Sequence, residues 1–166
     1  DTVVGVIGLA DKIKDGSIEA INELRDCGLE LVMLTGDSCT TADAIAKEVG
    51  LDQVLSELMP IDKAKAVKNV QFDELRTGYV AMVGDGINDA AALAQSDVGM
   101  AIGTGTDVAM ESADITLVRG DLIASVSAVK LSQATVRTIR QNLFWAFCYN
   151  VLLIPTAVMG GLHPML

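Results

Sequence analysis

No residue after Arg140 carries a formal charge. That boundary limits the folds open to the chain more than any single motif does. The net charge of −10 lies entirely on residues 1–140, and residues 143–162 run on without Asp, Glu, Lys or Arg. A helix of about 20 residues is about 30 Å long, the thickness of the hydrocarbon core of a bilayer. Trp145 stands near the start of the run, with Arg137 and Arg140 just before it. This is the order expected where a helix enters a membrane from its positive side. Pro155 and Gly160-Gly161 fall inside the run, and both are tolerated in membrane helices. The competing reading is a buried core helix of a soluble protein. The acidic body argues against nucleic-acid binding, which needs Lys and Arg to meet phosphates.

The charged part alternates between short apolar runs and helical periodicity. Residues 3–9, 29–34, 79–83, 98–102 and 115–118 read as strands. Residues 17–25 carry Ile18, Ile21 and Leu24 at helical spacing, with Gly28 as the stop. Residues 41–49 read as a helix ending at Gly50. Pro60 opens another helix with Ala64, Val67 and Val70 on one face, and a short helix covers 88–94. Residues 122–141 form a long amphipathic helix that leads into the apolar tail. This order predicts an α/β domain with a mainly parallel sheet, whose ligands bind at the carboxyl ends of the strands. Cys27, Cys39 and Cys148 are odd in number and lack CxxC spacing, so reduced thiols are expected rather than a disulfide or zinc site. The chain begins at Asp1 without an initiator Met or signal peptide, and is expected to be a piece of a longer protein.

Two loops fall at expected strand ends. Gly84-Asp85-Gly86-Ile87-Asn88-Asp89 puts two carboxylates and an amide directly after a buried strand. Carboxylate oxygens suit Mg²⁺, which is usually held by one or two carboxylates plus phosphate and water. The alternative is an acidic turn capping the helix near Asn88. Thr35-Gly36-Asp37 offers a hydroxyl and free N–H groups to a phosphoryl group. It also reads as an ordinary turn with Asp37 or Ser38 as N-cap. In Pro60-Ile61-Asp62-Lys63, Lys63 can neutralise phosphate or, like Lys65 and Lys68, simply be solvated. Together these residues form a phosphate-handling set of the kind phosphoryl transfer needs.

These segments, with Ala90-Ala91-Ala92-Leu93 and the run from Val98 to Ala109, resemble the haloacid-dehalogenase-like superfamily and, within it, the P-type ATPases. The resemblance implies a Rossmann-like parallel sheet and a mechanism in which an aspartate in a D-K-T-G-T segment attacks the γ-phosphate of ATP. It implies Asp85 as a Mg²⁺ ligand and Asp89 as support for the Mg²⁺ site or loop. Thr35 and Lys63 would contact the phosphoryl group, Asn88 would orient it, and Gly36 would belong to the same catalytic loop. Asp37 would serve the Mg-nucleotide side and dephosphorylation. No D-K-T-G-T occurs in the chain, and Ala91 stands where the family usually has Pro. The sheet is therefore expected to lack its nucleophile strand, which would lie between the strands ending at Leu34 and Val83. The chain alone is expected to be inactive and less stable than the whole domain.

Asn142 to Asn150, followed by Ile154-Pro155, resembles the metal-site helix of Cu(I)-transporting ATPases. There a Tyr-Asn pair, here Tyr149 and Asn150, helps to form the transport site. Polar groups in a membrane helix are functional candidates, though Asn also serves as an interhelical bond. Cys148 is a soft donor suited to Cu(I), but lies about 100° from Tyr149 around the helix. Packing is the other reading, as it is for Met159 and Met165. His163-Pro164 marks the expected helix end.

The expected organisation is residues 1–122 as the C-terminal part of the phosphorylation domain, 123–142 as a connecting helix, 143–162 as a transmembrane helix and 163–166 as the start of an extracytosolic loop. Residues 1–142 then lie on the cytosolic side of a multi-pass membrane protein. The implied partners are the lipid bilayer, the rest of the phosphorylation domain, nucleotide-binding and actuator domains, other transmembrane helices and a copper chaperone. The alternatives are a pump for Zn(II) or another divalent ion, a phosphatase of the same superfamily and a non-catalytic membrane module.

Overall fold

In the computed structural model, residues 12–51, 53–73, 78–85, 87–103 and 110–159 are described. The strand expected over residues 3–9, Gly86, Thr104 to Ala109, and 160–166 with His163 and Met165 lie outside the described residues.

Helix α1 (Ser17–Asp26) buries Ala20, Ile21 and Leu24 on one stripe. Gly28 ends it with φ 82°, a left-handed conformation that a side chain would oppose. Leu29 N–H then donates back to Leu24 O at 3.3 Å. Leu29 therefore closes α1 instead of opening the next strand, and β1 (Val32–Leu34) is shorter than expected and only half-buried. Helix α2 (Cys39–Val49) is N-capped by Ser38, whose oxygen accepts from Thr41 N at 3.4 Å. A further strand, β2 (Gln53–Leu55), pairs with β1 in parallel, setting Leu34 beside Leu55.

Helix α3 (Pro60–Gln71) takes Pro60 in its first turn. It buries Ala66 and Val67, while Ala64 and Val70 are half-buried, so its inner face is turned slightly from the expected one. Strand β3 (Ala81–Gly84) begins two residues later than expected, leaving Tyr79 91% exposed. A 3-10 turn (Ile87–Asp89) leads into α4 (Ala90–Gln95), then β4 (Val98–Ile102) and β5 (Ile115–Leu117). Strands β3, β4 and β5 are parallel in that order.

Among the described residues the sheet falls into two pieces, β1-β2 and β3-β4-β5. One core nevertheless joins them. Val67 of α3, Met82 of β3, and Ala92 and Leu93 of α4 form it, with Leu34 of β1 and Val80 packed against it. Gly99 in β4 lets α4 come close, since a Cβ there would lie 2.8 Å from Leu93 O. Two carboxylates finish the strand starts. Asp97 accepts from Val80 N at 2.7 Å, and Asp114 accepts from Gly99 N at 2.8 Å.

The last element, α5 (Ile123–Val158), is one continuous helix with Pro155 inside it. The connecting helix and the apolar tail therefore share one rod, with no break at residue 142. The chain divides into two units between Val126 and Ser127. Among the described residues no helix is long and apolar enough to cross a membrane. The expected span continues past Val158 into residues that are not described.

Candidate functional site

Two of the expected site residues meet across 26 positions of sequence. Lys63 Nζ lies 2.7 Å from Asp89 Oδ1. Both side chains are mostly buried, 16% and 12% exposed. The contact follows from packing: α3 lies against α4 and against the turn that carries Asp89. Lys63 is thus not a solvated lysine, unlike Lys65 and Lys68 on the outer face. Asp89 does not cap α4 either, since no side-chain cap bond is made there. Gly84 completes the arrangement. A Cβ at that position would lie 2.7 Å from Asp89 Cβ, so only glycine lets Asp89 fold over the end of β3. Asp85 and Asn88 flank this pair and are exposed.

The loop after β1 is organised differently. Thr35 Oγ1 donates to Asp37 Oδ2 at 2.8 Å, and Asp37 N–H donates back to Thr35 Oγ1 at 3.1 Å. The hydroxyl proton of Thr35 is held by Asp37. To donate to a phosphoryl oxygen, it must turn away from that carboxylate. The backbone of the loop is fixed by the segment after β2. Thr35 N–H donates to Leu55 O, Leu58 N–H to Thr35 O, and Glu57 N–H to Asp37 O, at 2.9, 3.1 and 2.9 Å. Glu57 has φ 58°, and is the only non-glycine residue with positive φ among the described residues. That left-handed conformation costs about 1–2 kcal/mol. Neither β2 nor this segment was expected from sequence. Gln53-Val54-Leu55 after Gly50 was the available signal, and three residues are too few to set a period.

Asp37, Asp85 and Asp89 give these loops three carboxylates to the one ammonium of Lys63. The exposed Asp85 carboxylate is a hard donor of the kind Mg²⁺ takes, so the residues present fit that ion. Among the described residues no three His, Cys, Asp or Glu side chains converge as a complete metal cage. A second ion pair lies on the same helix as Lys63. The Lys65 ammonium, 2.8 Å from Asp62, holds that exposed carboxyl below its ordinary range.

In α5, Asn150 Nδ2 donates to Ala146 O at 2.9 Å, one turn back. Tyr149 is exposed and Cys148 is half-buried. Cys27, Cys39 and Cys148 are free thiols. The neighbouring rings of Phe144 and Trp145 meet edge to face, with centroids 5.5 Å apart.

A parallel α/β sheet with Thr35, Asp37, Asp85 and Asp89 just after its strands, and Lys63 of α3 paired with Asp89, defines a class. The chain belongs to the haloacid dehalogenase-like hydrolase family, whose pattern matches residues 1–97. Within that class it is similar to heavy-metal P-type ATPases. It is 51% identical over 160 residues to a copper-exporting P-type ATPase of Staphylococcus saprophyticus, a match covering 96% of this chain and 20% of that protein. The copper-exporting P-type ATPase of Staphylococcus aureus strain Newman is 51% identical over 163 residues, covering 98% of this chain and 20% of that protein. The chain thus spans about a fifth of the length of the curated relatives it matches. Among solved structures, a zinc-transporting PIB-type ATPase superposes with a TM-score of 0.82 at 40% identity, covering 90% of this chain and 24% of that one. The catalytic domain of the CPx-ATPase CopB-B follows with a TM-score of 0.61 at 34% identity, covering 68% of this chain and 44% of that one.

Proposed function

We propose that this chain is a segment of an ATP-driven pump that exports Cu(I) through an aspartyl-phosphate intermediate. The observation that carries the reading is 51% identity, over nearly the whole chain, to copper-exporting P-type ATPases. In the proposed mechanism an aspartate from elsewhere in the parent chain accepts the γ-phosphoryl group of ATP. Its strand would lie between β1 and β3, whose facing edges are covered by no described strand. Lys63, positioned by Asp89, neutralises phosphoryl charge, while Thr35 and Asn88 orient it. Asp85, supported by Asp89, is the residue that would hold Mg²⁺. When bound, that ion neutralises charge developing on the phosphoryl oxygens. Asp37 holds the Thr35 hydroxyl until the phosphoryl group arrives.

In the same reading residues 143–162 cross the bilayer, residues 1–142 lie on its cytosolic side, and Tyr149 and Asn150 contribute to the transport site with other helices. Cys148 is a weaker candidate there. The isolated chain, without a nucleophile, does not hydrolyse ATP. Zn(II) is the second reading for the cargo, favoured by the 40% identity to a zinc-transporting PIB-type ATPase.

The test is aspartyl-phosphate formation from ATP in the full-length protein, with Cu(I) and Zn(II) added separately. Cu(I)-dependent phosphoenzyme that is lost in Asn150→Ala is the expected result. Stimulation by Zn(II) alone would overturn the copper assignment and keep the pump. Absence of phosphoenzyme with either metal would overturn the pump itself.

A further inference from the structure

We propose that Glu57 is a positioning residue for phosphoryl transfer, acting through its backbone and not through its carboxylate. The proposal deepens the functional reading above and rests on it. Thr35-Gly36-Asp37 leaves β1 at the strand end, and its own bonds between Thr35 and Asp37 close the turn without anchoring it to the rest of the domain. The path is set by residues 55–58. Their chain continues the β1-β2 pairing past Leu34 and Leu55, then doubles back on the loop.

The doubling back depends on one torsion. With φ 58°, Glu57 turns its N–H onto Asp37 O while the next N–H, that of Leu58, reaches Thr35 O. The two N–H groups flank this torsion, so a residue confined to negative φ would turn one of them away from its present acceptor. Gly36 supplies the other half of the contact, because a Cβ there would press to 3.3 Å from Leu58 O. The same segment runs directly into α3. Asp62 N–H and Lys63 N–H both donate to Met59 O, at 2.9 and 3.1 Å, so the turn that carries Lys63 starts one residue beyond Leu58. Glu57 therefore ties two separate pieces of the site, the Thr35 hydroxyl and the Lys63 ammonium, to one rigid path. The Glu57 side chain is exposed, as expected if the torsion and not the carboxylate matters.

The experiment compares Glu57→Val and Glu57→Gly with the wild type in the full-length protein. A β-branched side chain is strongly disfavoured at positive φ, whereas glycine adopts it freely. Three quantities are read: the rate of phosphoenzyme formation at saturating ATP, the KM for ATP, and the folded fraction from a thermal melt. Glu57→Val is expected to slow phosphorylation per folded molecule by about tenfold to a hundredfold, the scale of a small misplacement of reacting groups. Its KM for ATP stays at the wild-type value, and Glu57→Gly restores the wild-type rate. A wild-type rate in Glu57→Val overturns the proposal. So does a loss in Glu57→Gly as large as that in Glu57→Val, which would give the role to the carboxylate. A slowing that only follows the folded fraction overturns it as well. A wild-type protein that forms no phosphoenzyme overturns the functional reading and this proposal together, and is distinct from all three.

Discussion

The unit up to Val126 and the helix beyond it treat apolar side chains in opposite ways. In the first, Leu24, Val67, Leu93, Met100 and Leu117 are buried, and the mostly buried charges of Lys63 and Asp89 are paired with each other. In the second, Phe144, Trp145 and Leu152 are more than 60% exposed, and the buried residues of α5, Ser125 and Val126, precede it. A stretch this apolar does not remain in water at no cost, since each fully buried large side chain gains about 1.5–3 kcal/mol. The first unit hides a core of apolar side chains within itself, while Met59, Ile61 and Phe72 stay at its surface. The second is built to hide its apolar side chains in something else, and we propose lipid and neighbouring helices.

That contrast can be broken in several ways, taken in order of effect. Lys63→Met leaves the mostly buried Asp89 carboxylate without its partner. It should destabilise the first unit by about 3 kcal/mol in urea unfolding. Adding Asp89→Leu should recover much of the loss; a double variant as unstable as the single one would show that the pair is not the cause. Leu152→Arg tests the second unit. On a water-facing helix it should change stability by less than about 0.5 kcal/mol. In a helix that inserts into lipid it should cost about 2.5–3.5 kcal/mol in a membrane-insertion assay. We expect the larger value, and the smaller one would remove the contrast.

Gly99→Ala should cost about 1–3 kcal/mol, because its Cβ meets a backbone carbonyl that cannot swing aside. A neutral melting temperature would mean that α4 shifts freely on β4. The smallest effect is electrostatic. The folded pKa of Asp62 is lowered by Lys65, so its contribution to stability is present above the ordinary carboxylate range and fades as pH falls through the lowered value. Lys65→Ala should return the Asp62 titration, followed by NMR, to the ordinary range. An unmoved titration would show that Lys65 is not the cause.

Much of the first unit was legible because its signals are local. Gly28 and Gly50 mark helix ends, Pro60 marks a start, and the residues of β4 were expected within their observed bounds. The misreadings also have local causes. An apolar residue after Gly28 looks like a strand, but Leu29 is used to close α1. Tyr79 looks like a strand residue by type and stands outside β3. What no window could show is the Lys63–Asp89 pair, which exists only because α3 packs on α4. The carboxylates of Asp97 and Asp114 were likewise unreadable as acceptors for N–H groups of other strands. In the second unit the chargeless run was plain in sequence, while the single unbroken helix through residue 142 was not.

The two-piece sheet has a consequence for how the polypeptide assembles. The strand proposed to join β1 to β3 comes from outside the described residues, and long-range pairing is slow because loop closure must come first. Where no described strand covers them, the edges of β1 and β3 are templates for any extended segment, including one from a second molecule. The isolated chain should therefore self-associate as its concentration rises. The core contact of Leu34 with the α3-α4 layer is a partial remedy. It holds the two sheet pieces on one core, so a strand joining them would enter a slot that already has both walls.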